Sequence, residues 1–251
     1  MESISNKKKF KLNIKTETAQ RLVFLGVLLI LGIILTVLTD KFFTLTNLQN
    51  VGRQVAAVII TGSAVTMVMI SGNLDLSVGS VVAMTGVLFA KFAQWEIPVV
   101  FAALFAVIIG GLFGYLNGTL VENLRIPAII TTLGMMYVAR GLAFISCGGN
   151  TINTHLPPNF TFFGRGFIGV IPFPLLVTFI VFIIFWFIQG KTKIGRYTFA
   201  IGENRNTAFL SGINVNNIVK ILFLLSGACA GFSGVLMSSR LGCGKPNIAM
   251  G

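Results

Sequence analysis

An ionisable side chain within a long apolar sequence costs several kcal/mol unless it is paired or hydrated, so such residues are the first places to look for chemistry. The chain has 7 acidic residues. Asp40, Glu96, Glu122 and Glu203 fall in connections between apolar runs, which leaves Asp75, with Arg53 and Arg140, near or within them. Asp75 stands in SGNLDLSVGS, where Gly72 and Gly79 bracket a polar interruption that must turn the chain around. Its carboxylate has two uses there. It can cap the helix that follows, accepting from the backbone amides of Ser77 and Val78. Alternatively, Asn73, Asp75, Ser77 and Gly79 can break the helix and line a polar pathway, because irregular backbone at membrane depth survives only where protein or water satisfies it. The two uses are compatible. Arg140 closes the small and polar run TTLGMMYVAR and can reach an interface along its own stem; nothing in the sequence supports a buried pairing with Asp75.

No catalytic grouping is present. The sequence holds no HExxH, no GxSxG and no Gly-rich loop ending in Lys-Ser/Thr, so the chain itself is not expected to hydrolyse ATP or to bind a cofactor. His155 stands alone in a loop and is not expected to hold metal. Cys147, Cys229 and Cys243 show no paired spacing and read as small apolar packing residues. The Asn117-Gly118-Thr119 and Asn159-Phe160-Thr161 sequons are cheap matches to which no function is assigned.

The elements that must position Asp75 are set by composition. Of 251 residues 55% are hydrophobic and 10% charged, and the mean hydropathy is +0.88, far more apolar than a soluble domain. A net charge of +12 would suggest nucleic acid, but the basic residues sit at the ends of apolar runs and form no single solvated face. Nucleic acid is therefore excluded and membrane lipid is the expected surroundings. A spanning helix needs ~20 mainly apolar residues. Candidate stretches are Leu22–Thr39, Val51–Ser71, Leu74–Ala93, Ile97–Leu120, Pro127–Ser146, Phe167–Ile188 and Asn217–Ser238. They lack the period of two of barrel strands, so the fold class is all-α, a polytopic transmembrane helical bundle. The first run is longer than a signal-peptide core and no Ala-x-Ala site follows, so it reads as an uncleaved span.

Glycines give the bundle close contacts. Gly110, Gly114 and Gly118 repeat every four residues along one helix face, and Gly227 and Gly231 do the same in the last span. Such faces let helix backbones approach, and packing alone accounts for them.

Three ordered blocks carry a resemblance. GNLDLSVGS after an apolar span resembles the signature of ribose-type ABC importer permeases. NGTLVENLRIPAIITTLGMMYVARGLA resembles that family's Asn-Gly, short basic turn, Pro, Thr-Leu-Gly and Arg-Gly pattern, and TKIGRYTFAIGENRNTAFLSGINV resembles its loop containing Gly-Arg, Ala-Ile-Gly-Gly-Asn and Ser-Gly-Ile. The loop match is carried by Gly195, Arg196, Ala200, Ile201, Gly202, Asn204, Ser211, Gly212 and Ile213. Glu203 replaces the second glycine and Asn206-Thr207 the alanine-rich start of the short helix. The resemblance implies a permease subunit of a binding-protein-dependent importer in the bacterial inner membrane. Its implied partners are a separate ABC ATPase subunit that uses ATP, an extracytoplasmic sugar-binding protein and a second permease copy, as homo- or heterodimer. The implied cargo is a monosaccharide or similar polar solute. An ion-coupled secondary transporter and a non-functional fragment are the alternatives. Family members continue for about three further spans beyond RLGCGKPNIAMG, so about seven of ten spans are expected here. The face of Gly227 and Gly231 is then expected to be left open to lipid.

The expected organisation is a basic cytoplasmic tail over residues 1–21 and a permease domain over 22–251, with a cytoplasmic coupling loop over 190–216. In that loop Asn204 or Asn206 can start a short docking helix, Ala208, Phe209 and Leu210 supply apolar contact, and Gly212 can end it. Lys7, Lys8, Lys9, Lys11, Lys15 and Arg21 precede the first span, Arg125 follows the fourth, and Lys191, Lys193, Arg196 and Arg205 follow the sixth; Lys41, Lys91 and Arg165 fall on the other side. This asymmetry places the N-terminus and the 190–216 loop in the cytoplasm. With Cys147, Cys229 and Cys243 replaced, cysteines at Ser5 or Asn206 should stay unlabelled by an impermeant thiol reagent added outside intact cells; labelling of either position contradicts the orientation.

Overall fold

The computed structural model describes residues 16–249, in two units, Met1–Asn50 and Val51–Gly251. Residues 1–15 of the expected basic tail lie outside the described residues. In the first unit, α1 (Thr16–Leu38) shows apolar side chains on every side, and none of its Gln20–Leu38 window is buried in protein. A helix apolar all round and exposed along its length is suited to hydrocarbon. Its successor α2 (Leu45–Ile70) begins in this unit, where the Thr44 hydroxyl accepts from the Asn47 amide at 3.3 Å as an N-cap.

The second unit holds the rest of α2 together with α3 (Val78–Gln94), α4 (Val99–Asn123), α5 (Ala128–Ser146), a 3-10 turn (Pro158–Thr161), the short α6 (Phe162–Arg165), α7 (Phe173–Lys191), α8 (Lys193–Glu203), α9 (Arg205–Leu210) and α10 (Val215–Leu241). Prolines set three of the starts: Pro98, Pro127 and Pro172 each stand just before the first residue of α4, α5 and α7. There a missing amide N–H leaves no helical hydrogen bond unmade. Among the described residues, six helices are long and apolar enough to cross a membrane: α1, α2, α4, α5, α7 and α10. The chain is an all-α polytopic bundle; among the described residues its one sheet is a two-stranded hairpin, β1 (Phe167–Ile168) with β2 (Ile171–Pro172), turned at Gly169 with φ 61°.

Two expected boundaries are corrected. The sixth span starts at Phe173, because the hairpin takes up Phe167 to Pro172. The third, expected from Leu74, is the 17-residue α3, at ~1.5 Å per residue shorter than the ~30 Å hydrocarbon layer. It is short because the chain from Asn73 to Ser77 is not helical. Its residues Ser80 to Val87 are all buried, so it lies within protein and not against lipid.

α10 is the centre of this unit, packed along α4 and α3. On α4, an ideal Cβ at Gly110 would lie 2.5 Å from the Gly227 carbonyl oxygen, and one at Gly118 2.8 Å from the Lys220 Cα. A Cβ at Gly114 would collide with the Phe223 carbonyl oxygen, and one at Gly231 would sit 3.0 Å from that of Ala106. The two glycine faces therefore meet each other. The expectation that Gly227 and Gly231 face lipid is corrected: both are buried, covered by α4 of the same chain.

The segment between α5 and α7 is anchored to this core. Phe160 stacks on Phe89 of α3 with ring centroids 4.6 Å apart. The buried Ser239 hydroxyl of α10 donates to the Phe160 carbonyl and accepts from the Gly164 amide, each at 2.7 Å.

Candidate functional site

The polar interruption is built by two local devices. α2 ends in a Schellman cap: Gly72 takes φ 82°, its N–H donates to the Met69 carbonyl at 3.0 Å, and the Asn73 N–H donates to that of Val68 at 3.2 Å. The Asn73 side-chain amide returns to the Ser71 hydroxyl at 3.1 Å. Two residues on, Asp75 forms an Asx turn, its Oδ1 accepting from the Ser77 amide at 3.1 Å and from the Ser77 hydroxyl at 2.7 Å.

Asp75 is not itself the cap of α3. Ser77 holds that position without a side-chain cap bond, and the carboxylate takes the Ser77 amide but not that of Val78. Its second oxygen, Oδ2, accepts from the Ser226 hydroxyl in the middle of α10 at 2.8 Å. Asn117 of α4 donates from Nδ2 to the Ser77 hydroxyl at 2.8 Å, and the Thr132 hydroxyl of α5 reaches the Leu74 carbonyl at 3.3 Å. Asp75, Ser77, Asn117, Thr132 and Ser226 are all buried. A carboxylate taken out of water costs several kcal/mol, and charge-assisted hydrogen bonds of this kind offset much of that. The carboxylate thus ties the start of α3 to α10, and through Ser77 to α4.

Gly79 lies in the first turn of α3, where an ideal Cβ would be 3.4 Å from the Ala249 carbonyl oxygen. Arg140 pairs with backbone and not with Asp75: its Nη1 donates to the carbonyls of Pro246 at 2.8 Å and Ile248 at 3.3 Å. Arg53 lies 4.6 Å from the centroid of the Phe167 ring. Among the described residues no three of His, Cys, Asp and Glu come together.

The 190–216 segment forms a compact knob. A tight corner joins α7 to α8, where an ideal Cβ on Gly195 would sit 2.5 Å from the Ile188 carbonyl, and Thr192 caps α8 by accepting from the Gly195 amide at 3.4 Å. Gly202 lies against the Ile70 carbonyl at the end of α2, a contact any Cβ would prevent. Asn204, not Asn206, caps α9, accepting from the Thr207 amide at 2.9 Å. α9 ends in a second Schellman cap: Gly212 takes φ 82°, and the amides of Gly212 and Ile213 donate to the carbonyls of Phe209 and Ala208 at 3.0 and 3.1 Å. Ser211 donates to the Thr207 carbonyl at 2.9 Å. Ile201 and Ala208 are buried, Ala200 is half-buried and Arg196 is exposed. Of the three apolar residues expected to offer contact, Ala208 is turned inward at 3% exposure, while Phe209 and Leu210 stand out at 69% and 84%.

One ion pair ties the knob to the bundle. Glu122, expected in a connection, is in the last turn of α4 with its side chain fully buried, and it accepts from the half-exposed Arg205 of α9. Both border a cleft of about 820 Å³ that also takes in Asn73, Arg125, Asn206 and Phe209 but not Asp75, Ser77 or Gly79.

Sequence reasoning missed Ser226, Asn117 and the Glu122–Arg205 pair. Asn117 in LNGTL and Ser226 in LLSGACAG are visible as polar residues in apolar runs, but nothing local says that both approach Asp75.

Residues 47–251 match the family described as "Branched-chain amino acid transport system / permease component". The ribose import permease protein of Haemophilus influenzae is 35% identical over 87% of this chain and 69% of its own length. The D-allose transport system permease protein of Escherichia coli is 31% identical over 96% of this chain and 78% of its own, and the L-arabinose ABC transporter permease protein of Azospirillum brasilense 36% over 90% and 66%. No solved structure matched. The chain belongs to this family of transport permease components, in the ribose-type sugar ABC permease group that its sequence resembles.

Replacing Asp75 with Ala leaves two hydroxyls and the Ser77 amide without their acceptor, and should lower stability in detergent by at least about 2 kcal/mol. Ser226→Ala should lower it by about 1 kcal/mol. An Asp75→Ala protein that unfolds within about 0.5 kcal/mol of the parent would contradict the tie.

Proposed function

We propose that the chain is the membrane-spanning permease subunit of a binding-protein-dependent ABC importer, moving a monosaccharide or similar polar solute into the cytoplasm by alternating access. The observation that carries the reading is the knob: a doubly capped pair of short helices between two spanning helices, with Phe209 and Leu210 bare at its tip. In water an exposed Phe-Leu pair on an ordered turn is surface suited to a groove in a soluble partner. The partner in this reading is an ATPase subunit, which uses ATP on the cytoplasmic side; this chain binds none. The basic residues around the knob and before α1 support a cytoplasmic side for both in this reading. An extracytoplasmic binding protein selects the solute, and a second permease copy completes the pathway. The ribose, allose and arabinose in the names of the relatives support a monosaccharide. An ion-coupled mechanism draws no support from Asp75, since both carboxylate oxygens are taken by Ser77 and Ser226.

Phe209→Asp with Leu210→Asp should lower ATPase co-purification and ribose uptake at least about tenfold, a loss of ~1.4 kcal/mol of association or more, without changing membrane insertion. Uptake by the parent should survive an ionophore that collapses ion gradients. Normal ATPase recovery and normal uptake in the tip variant would contradict the assignment. Ala208→Asp is the wrong probe, since it would break the knob's own packing.

A further inference from the structure

We propose that the Glu122–Arg205 ion pair is the link that makes α4 follow the knob, and so carries partner motion into the bundle. The inference rests on the ATPase-driven reading above and adds to it the residues through which the drive passes.

Glu122 has no exposed side-chain surface, and among the described residues Arg205 is its ion-pair partner. Arg205 is half exposed and stands in the first turn of α9, next to the Asn204 cap. If α9 moved away alone, a buried carboxylate would be left unpaired beside a cleft, which is far less favourable than moving α4 with it. The end of α4 is therefore tethered to α9 by the penalty of separation, whatever the net worth of the pair. Beyond that point the route is continuous. Asn117 lies about a turn and a half further back along α4, and donates to Ser77, which with Ser226 of α10 holds Asp75. Close glycine packing holds α4 against α10 at the same depth. Displacement of the knob is thus delivered to α4, α10 and the start of α3 together.

Arg205→Gln removes the cation and leaves the buried Glu122 carboxylate unpaired, Glu122→Gln removes the anion with little change of shape and without that penalty, and Arg205→Lys keeps the charge. Two measurements apply. With Cys147, Cys229 and Cys243 replaced, spin labels at the exposed Leu124 and Leu210 report the separation of α4 from the knob in purified protein. The distribution should be narrow in the parent and in Arg205→Lys, and broad in both glutamine variants. In proteoliposomes holding the co-purified ATPase, both glutamine variants should retain the ATPase within about twofold and continue ATP hydrolysis, while ribose uptake per ATP falls at least tenfold; Arg205→Lys should recover most of it. Uptake per ATP unchanged in Arg205→Gln, or a label distribution unchanged in both glutamine variants, would overturn the link. If the parent recovers no ATPase, the importer reading fails, and the label distances still decide whether the pair tethers α9 to α4.

Discussion

Bare backbone against bare backbone, along α4 and α10, is the constraint on which the rest of the bundle depends. Lipid tails are as apolar as leucine, so burying aliphatic side chains gives two membrane helices little reason to prefer each other over lipid. Close van der Waals approach and satisfied polar groups supply the preference instead. Gly110 and Gly114 of α4 meet Gly227 of α10 so closely that a Cβ would strike a carbonyl oxygen or Cα on the facing helix. With that seam closed, α3 can sit in the angle beside α10, where Gly234 and Gly86 repeat the device on a smaller scale.

Two buried acids, of different character, are held on this frame. Asp75 is met by the Ser77 amide and by the hydroxyls of Ser77 and Ser226, none of them charged, which suits a group that joins three helices in place. Glu122 is met by a single cation, Arg205 on α9 of the knob. Its environment penalises separation and permits concerted movement. One clasp therefore fixes the interior, and the other connects the interior to the exposed tip of the knob, Phe209 and Leu210.

What the sequence made legible follows from locality. The apolar runs, the glycine spacing, the Gly72 break and the Gly212 stop are each written within a few residues, and the structure places caps at both glycines. Hydropathy predicts spans starting at Leu74 and Phe167 because it does not distinguish an extended or hairpin segment packed on protein from the first turn of a helix. The partners of Asp75 were not legible, since Ser226 is 151 residues away and serines in apolar helices most often bond their own backbone. Sequence alone puts Glu122 in a connection because a charge after an apolar run resembles a solvated end, and only the fold of α9 over α4 brings Arg205 to it. The expectation that Gly227 and Gly231 face lipid follows from the family's further spans, whereas their partner is α4 of the same chain, at Gly110 and Gly114.

The seam is open to a direct chemical test. An ideal Cβ at Gly111 lies 3.5 Å from the Ala228 Cβ, within the ~3.5–4.5 Å that a disulfide requires. With Cys147, Cys229 and Cys243 replaced, Gly111→Cys combined with Ala228→Cys should cross-link within the chain almost completely when membranes are oxidised, seen as a reductant-sensitive shift in gel mobility, while Gly111→Cys with a cysteine at the exposed Leu241, at the far end of α10, stays far less linked. Failure of the 111–228 pair to close, or its closing only between two chains, would contradict the α4–α10 contact that the account rests on.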